Sequence, residues 1–457
     1  MPSFKLKERF KKIDKAAVIV LLCSVIVGTL AGVFGALFNK AVTWIVNFRT
    51  ESVAEVSVSL WVSIPLMFVI SGLLAMFGYL MVQRVAPEAG GSGIPEIEGS
   101  LQNLRPVRWW RVLPAKLLGG IGTLGSGMVL GREGPTVQMG ANAGQMVHDV
   151  FKLNNPQSRH TLLATGAAAG LAAAFNAPLA GILLIIEEMR EEFRYNLISI
   201  KAVFIGVIMS TVMVRYMDGN KPLLQVVEYV SAPMNTYWLY LVLGICFGLV
   251  GVLFNYFILR VQSGFQTFNA GGKHRFILMG GLVGGVIGAV GVVYPSISGD
   301  GFHLIDRIST GQFSLALLAL IFFFRFITSV VSFSSGAPGG IFSPLLALGT
   351  LFGTAFGLAA VELFPHYDLQ AGSFAVAGMA ALFAATVRAP LTGIVLVLEI
   401  TGNYLLILPI VITCLGATMV AHLIGGKPLY SQLLERILLR AKKEEDETQT
   451  NHSITHS

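Results

Sequence analysis

Charged residues punctuate this chain at wide intervals, and the uncharged stretches between them are its dominant pattern. The long stretches cover residues 16–39, 56–83, 161–186, 229–259, 276–299, 326–361 and 400–426, each of 24 residues or more. About 20 apolar residues in a helix span a bilayer core of roughly 30 Å, so these runs predict membrane-crossing helices. Shorter runs lie between them at 117–131, 134–148, 202–214, 308–324, 369–387 and 389–398, several too short to cross and many interrupted by Gly or Pro. Hydrocarbon tolerates no exposed irregular backbone, so such segments should be helices that stop partway, their ends buried in protein or facing water. Broken helices of this kind are typical of transporters, which aim helix ends at a substrate near the midplane.

Composition narrows the class. Of 457 residues, 54% are hydrophobic, only 12% are charged and 51 are glycine. Soluble domains carry about 25% charged residues, so a water-soluble globular protein is excluded. The net charge of +7 is too thinly spread to form a nucleic-acid groove and reads as the Lys/Arg bias of cytoplasmic loops. Lys5, Lys7, Arg9, Lys11, Lys12 and Lys15 precede the first run, and Lys427, Arg436, Arg440, Lys442 and Lys443 follow the last. Both termini are therefore expected on the cytoplasmic side. The first run has no small-residue cleavage site and is expected to be retained. Cys23, Cys246 and Cys414 lie singly inside apolar runs, which suits packing rather than a disulfide framework or a zinc site.

The chain also repeats itself. TGAAAGLAAAFNAPLAGILLIIEE at 165–188 matches AGMAALFAATVRAPLTGIVLVLEI at 377–400 at a constant offset of 212, with 12 of 24 positions identical. The shared positions include Gly166/Gly378, Pro178/Pro390, Gly181/Gly393 and Glu187/Glu399, and a weaker echo links GREGP at 131–135 with GAPGG at 336–340. This implies a duplicated membrane fold. The expected organisation is a cytoplasmic segment (1–15), a first membrane half (16–220), a second half (221–440) and a polar, disordered cytoplasmic tail (441–457).

Three glycine-rich segments carry the candidate chemistry: Gly90-Gly91-Ser92-Gly93-Ile94-Pro95-Glu96, Gly131-Arg132-Glu133-Gly134-Pro135-Thr136 and Gly339-Gly340-Ile341-Phe342-Ser343-Pro344. In each, glycines that permit close backbone approach precede a proline suited to a first helical turn. The first four N–H groups of a helix lack internal partners and carry about +0.5 of partial charge. Several such ends in one dry site form an anion receptor. It binds through partial charges, and conduction requires that the anion can also leave. Taken singly, any of these segments is as readily a turn between spans.

GSGIPEIEG, GREGPTVQMG and GAPGGIFSP, together with the repeated A-P-L-x-G-I string and GKPLY near the end, resemble the CLC family of chloride channels and proton-coupled chloride exchangers, bacterial exchangers most of all. The likeness runs from about residue 16 to 440. It implies an all-α polytopic membrane protein of two inverted halves of tilted and broken helices. It also implies a homodimer with one pathway per subunit in the bacterial inner membrane, with chloride and protons as substrates and no cofactor.

Matched motif by motif, the resemblance gives Ser92 and Tyr430 as hydroxyl donors to a central chloride, with the backbone N–H groups of Ile341 and Phe342 completing the site. Alone, Tyr430 reads as an interfacial aromatic anchor. The resemblance also makes the motif residues Gly91, Gly93, Ile94, Pro95, Gly131, Arg132, Gly134, Pro135, Gly339, Gly340 and Pro344 the selectivity filter. Nitrate-preferring members of the family resemble this one with a proline in place of Ser92. Glu133, a carboxylate in a low-charge membrane stretch, is a functional candidate in its own right. The resemblance makes it the gate and proton acceptor, competing with chloride. The alternative, an ion pair with Arg132, is disfavoured because adjacent residues at a helix start point apart. Glu188 resembles the internal proton-transfer glutamate, while Glu187 pairs with Glu399 in the repeat and reads as structural, a cap or an ion pair. Glu96 and Glu98, near Arg105, Arg108 and Lys116, read as a structural charge network. Bacterial relatives commonly resemble EEMRPQFRY where this chain has Glu191 and Glu192, carboxylates that would bear on proton access to Glu188.

The expected activity is voltage-independent exchange of chloride for protons, with acid-stress defence as a role by likeness. A passive channel is the alternative within the family, and the presence of both Glu133 and Glu188 favours exchange. A fluoride exporter fits Ser92 and Tyr430 less well. A membrane-embedded hydrolase needs a nucleophile and base or metal ligands. His148, His160, His303, His366 and His422 stand far apart, and no G-x-S-x-G elbow occurs.

Overall fold

A computed structural model describes residues 15–455 except 57–58, 190–195, 220–222, 225, 228, 231 and 312. The half boundary near 220 and the carboxylates Glu191 and Glu192 lie outside the described residues. The first half contains α1 (Lys15–Val56), α2 (Leu60–Arg84), α3 (Ile94–Leu101), α4 (Trp109–Gly125), α5 (Glu133–Val150), α6 (Pro156–Phe175), α7 (Pro178–Glu187) and α8 (Leu197–Asp218). The second contains α9 (Tyr237–Asn269), α10 (Lys273–Val293), α11 (Phe302–Thr310), α12 (Leu315–Ser334), α13 (Phe342–Leu363), α14 (Ala371–Val387), α15 (Pro390–Thr401), α16 (Ile407–Leu423) and α17 (Leu429–Thr455).

Among the described residues, eight helices are long and apolar enough to cross a membrane: α1, α2, α8, α9, α10, α12, α13 and α16. Their outward faces carry exposed apolar side chains such as Leu22, Trp61, Leu249 and Leu282, as a lipid-facing belt requires. The 42 residues of α1 extend about 63 Å at 1.5 Å per residue, so α1 must tilt strongly to fit a core half that thick.

Two sequence expectations change. The run 161–186 is not one crossing. Asn176 turns left-handed at φ 52° and Ala177 is extended at φ −120°, because a residue before proline is pushed out of the α region. The result is α6 followed by the ten-residue α7. The short run 202–214, conversely, belongs to a full 22-residue crossing, since helix continues through Lys201 and Arg215. Backbone helix runs from Leu429 to Thr455, into the stretch from 441 expected to be a disordered tail. Leu, Glu, Lys, Arg and Gln make up most of 429–455, which has no Gly or Pro, and these are strong helix formers.

The centre is made of the repeated segments. Every residue of 161–175 in α6 and of 373–387 in α14 is buried. Each packs backbone to backbone on its partner: a Cβ on Gly140 would strike the carbonyl of Gly166, and one on Gly349 that of Gly378. Small residues permit such approach where lipid offers no hydrophobic drive. The copies are inverted. Glu187, at the end of α7, accepts N–H bonds from Leu391 (2.9 Å) and Thr392 (2.7 Å) at the start of α15. Glu399, in the last turn of α15, accepts from Leu179 (3.0 Å) and Ala180 (2.9 Å) at the start of α7. Helices whose ends meet in this crossed manner run antiparallel. Glu187 is thus structural, as the repeat implied, and its role is a cap.

Candidate functional site: a buried pocket where three glycine loops meet

The glycine segments, about 40 to 250 residues apart in sequence, are knitted together through their backbones. Gly131 and Gly340 exchange N–H···O bonds of 2.8 Å in both directions. This is the only β-bridge among the described residues. Gly91 N–H donates to Gly336 O (3.2 Å), and Gly339 N–H donates to Gly91 O (3.1 Å). Glycine is required at the junction, since a Cβ on either Gly131 or Gly340 would collide with the Glu133 carboxylate. From this knot emerge the starts of α3, α5 and α13. Pro95, Pro135 and Pro344 each stand in a first turn, where a missing N–H costs no intrahelical bond.

The loop carbonyls are pinned from behind. Lys116, fully buried, donates through Nζ to Ala89 O (3.0 Å) and Gly91 O (2.7 Å). Thr123 donates to Pro338 O (2.7 Å), and Gln138 Nε2 donates to Glu88 O (2.8 Å). Of the expected charge network, Glu96 pairs with Arg105 (2.9 Å), whereas Arg108 pairs with Glu88 (3.1 Å) and Lys116 holds backbone instead.

Glu133, the first residue of α5, has no exposed surface. Its Oε1 accepts from the Phe342 amide at 2.6 Å and its Oε2 from the Ser343 hydroxyl at 3.1 Å. The carboxylate therefore occupies the free N-terminus of α13, where an anion is stabilised by unpaired amides and the helix dipole. Arg132 turns away and pairs with Asp300 (3.2 Å), so the ion-pair alternative for Glu133 does not occur. Ser92 and Tyr430 are buried, and their hydroxyl oxygens make no protein hydrogen bond. Buried hydroxyls are normally satisfied, so two unsatisfied ones beside the amides of α13 form a pocket that is chemically incomplete. The Tyr430 ring packs 6.0 Å from that of Phe342, which in turn meets Phe383 edge-on at 4.5 Å. Ile341 is the buried N-cap of α13. Glu188, half-buried at the end of α7, lies within electrostatic range of Tyr430.

A cavity of about 680 Å³ opens beside the first glycine loop, lined by Gly91, Ser92, Gln83, Arg105, Gln262 and Arg436 among others. Among the described residues no three His, Cys, Asp or Glu side chains group as a metal site. The sequence reading passed over Ser343, which lay inside a quoted motif, and Asp300, whose only signal is a lone charge between two glycines ending a long uncharged run.

An all-helical, multi-pass membrane protein with inverted halves and helix starts converging on a buried, uncharged donor set belongs to the class of broken-helix ion transport proteins. More narrowly, this chain belongs to the voltage gated chloride channel family, which matches residues 74–422. It is 59% identical over 449 residues to the H(+)/Cl(-) exchange transporter ClcA of Salmonella arizonae, covering 98% of this chain and 94% of the relative. It is 60% identical over 432 residues to the same-named protein of Klebsiella pneumoniae, covering 94% and 92%. Among solved structures it resembles a slow cyanobacterial Cl-/H+ antiporter at 38% identity and TM-score 0.88, covering 92% of this chain and 98% of that one. A eukaryotic CLC transporter follows at 25% identity and TM-score 0.76, covering 91% and 73%.

Proposed function

We propose that this protein exchanges chloride for protons across a bacterial inner membrane. In this reading it works as a homodimer with one pathway per subunit, both termini in the cytoplasm and no cofactor. The observation that carries the reading is the seat of Glu133 on the Phe342 amide. An ionised carboxylate and a chloride ask for the same donors, so the two compete for the start of α13. Protonation removes the charge of Glu133 and converts one oxygen from acceptor to donor, which weakens its claim and admits chloride. Ser92 and Tyr430 donate to the chloride at the centre, with the amides of Ile341 and Phe342, and no full cation traps it there. Glu188 relays the proton toward the inner face. Chloride and proton thus pass Glu133 in alternation, and each turnover couples the two. The named activity of the relatives supports this assignment.

The deciding experiment records chloride and proton fluxes together from purified protein in vesicles. A chloride gradient should drive protons uphill in the opposite direction. Chloride movement with no uphill proton movement would leave only a channel, and no chloride movement at all would end the proposal.

A further inference from the structure

Asp300 sits at a built corner on the second half. It is flanked by Gly299 (φ 69°) and Gly301 (φ 102°), both left-handed, so the chain can turn sharply on either side of it. The loop that carries it is held from below by Arg325, which is fully buried. That guanidinium donates to Ser296 O (2.9 Å), Ser298 O (3.1 Å) and Gly299 O (3.0 Å). Thr328 donates to Ile297 O (2.9 Å), and Gly299 N–H donates across to Gly127 O (2.9 Å) in the first half. With the loop fixed, both carboxylate oxygens are used. Oδ1 accepts the Phe302 N–H (3.2 Å) at the start of α11, and Oδ2 accepts Nη2 of Arg132 (3.2 Å). Asp300 also lies within electrostatic range of Glu133.

Arg132 is the cation nearest in sequence to the gate carboxylate, and it directly precedes α5. Left unpaired, its guanidinium would add a full positive charge beside the anion position. We infer that Asp300 is a positioning and specificity-setting residue: by neutralising Arg132 and holding it to a rigid loop, it keeps chloride binding at the Glu133 position weak. The inference rests on the reading of that position as a chloride site. It deepens the reading by naming what sets the strength of the site from outside the glycine loops. Both side chains are only about one-fifth exposed (21% and 17%), so screening by water and salt is incomplete.

The test is calorimetric titration of detergent-solubilised protein with chloride in the Glu133→Gln background, which measures binding without transport. Adding Asp300→Asn should lower the chloride Kd by twofold or more. One unit charge acting over roughly 8 Å, at an effective dielectric of about 20 to 80, gives about 2- to 30-fold. Combining Asp300→Asn with Arg132→Gln removes both charges of the pair and should return Kd to within a factor of two of the parent background. A merely structural role for Asp300 would not produce that cancellation. A Kd altered less than twofold by Asp300→Asn, or a double variant whose Kd stays as low as that of Asp300→Asn alone, overturns the inference. If Glu133→Gln binds no chloride, the chloride-site reading itself fails and this inference falls with it. Thermal unfolding of each variant in the same buffer separates misfolding from a true loss of effect. Should Asp300→Asn prove unfolded, Arg132→Gln alone must raise Kd by twofold or more, since it leaves the Asp300 carboxylate uncompensated beside the site; a smaller change overturns the inference.

Discussion

Replacing Glu133 by Gln is the sharpest perturbation of the proposed gate, because it keeps the side chain's shape and removes its charge. In the native protein the carboxylate accepts two bonds, from the Phe342 amide (2.6 Å) and the Ser343 hydroxyl (3.1 Å), with no exposed surface. Hydrogen bonds to a charged group contribute about 1.5–3 kcal/mol each, against about 1 kcal/mol for neutral ones. The glutamine carbonyl can keep one of these bonds at neutral strength. The hold of residue 133 on the start of α13 therefore weakens by about 2–5 kcal/mol, a factor of roughly 30 to 5,000. Chloride meets less competition by that factor, so its apparent affinity rises. Proton coupling disappears because an amide takes up no proton in the working pH range. The assay is paired flux in vesicles, with chloride release followed by electrode and pH recorded in the same cuvette. Chloride should leave at a rate insensitive to pH while proton uptake falls to background. Uphill proton transport persisting in Glu133→Gln, or an unchanged chloride affinity, would refute the argument that carboxylate and chloride share one site.

Other consequences follow from the same geometry. Glu188→Gln should abolish proton transport while chloride still passes, and unimpaired proton pumping would remove Glu188 from the relay. Ser92→Pro deletes one of the two unsatisfied hydroxyls, so the chloride/nitrate permeability ratio should fall in nitrate's favour; an unchanged ratio would count against Ser92 as a discriminator. Glu187→Ala and Glu399→Ala each strip a carboxylate cap from the opposite repeat's half-helix, a loss of about 0.5–2 kcal/mol. Both should lower the thermal midpoint to a similar extent, and a variant as stable as the parent would show that its cap bonds contribute nothing.

Much of this was legible in the sequence, for identifiable reasons. Crossings announce themselves because charge is excluded from hydrocarbon, and α1, α2, α10 and α16 fall where uncharged runs lie. The Gly-Pro motifs mark helix starts because only glycine permits the backbone approach of 131 to 340, and only a first turn accommodates the prolines. Glu187 was readable as structural from its repeat partner Glu399. That each caps the other's helix was not readable, since the bonds join residues 204 to 220 apart. The break at Asn176 is a choice between continuous and interrupted helix that hydropathy cannot see, although Pro178 carries the local signal. Asp300 showed only as a lone charge between two glycines at the end of an uncharged run. Its partner is fixed by two loops that meet only in three dimensions.

The two cations adjoining the glycine loops explain how the pocket stays formally uncharged. Lys116 and Arg132 both adjoin the glycine loops in sequence or by contact, and both are engaged by the protein itself. Lys116 spends its ammonium on the carbonyls of Ala89 and Gly91, which orients the loop that presents Ser92. Arg132 is turned onto Asp300. What remains for an anion is a set of partial charges: helix-start amides and two hydroxyls. Such donors favour chloride over an empty, dry pocket without the several kcal/mol that an unpaired buried cation would add. A site of that strength can fill and empty, and it can be taken over by a single carboxylate whose charge comes and goes with a proton. In the proposed mechanism, weak binding is therefore not an absence of cations but their diversion, one to backbone and one to a carboxylate, and exchange would depend on both diversions holding.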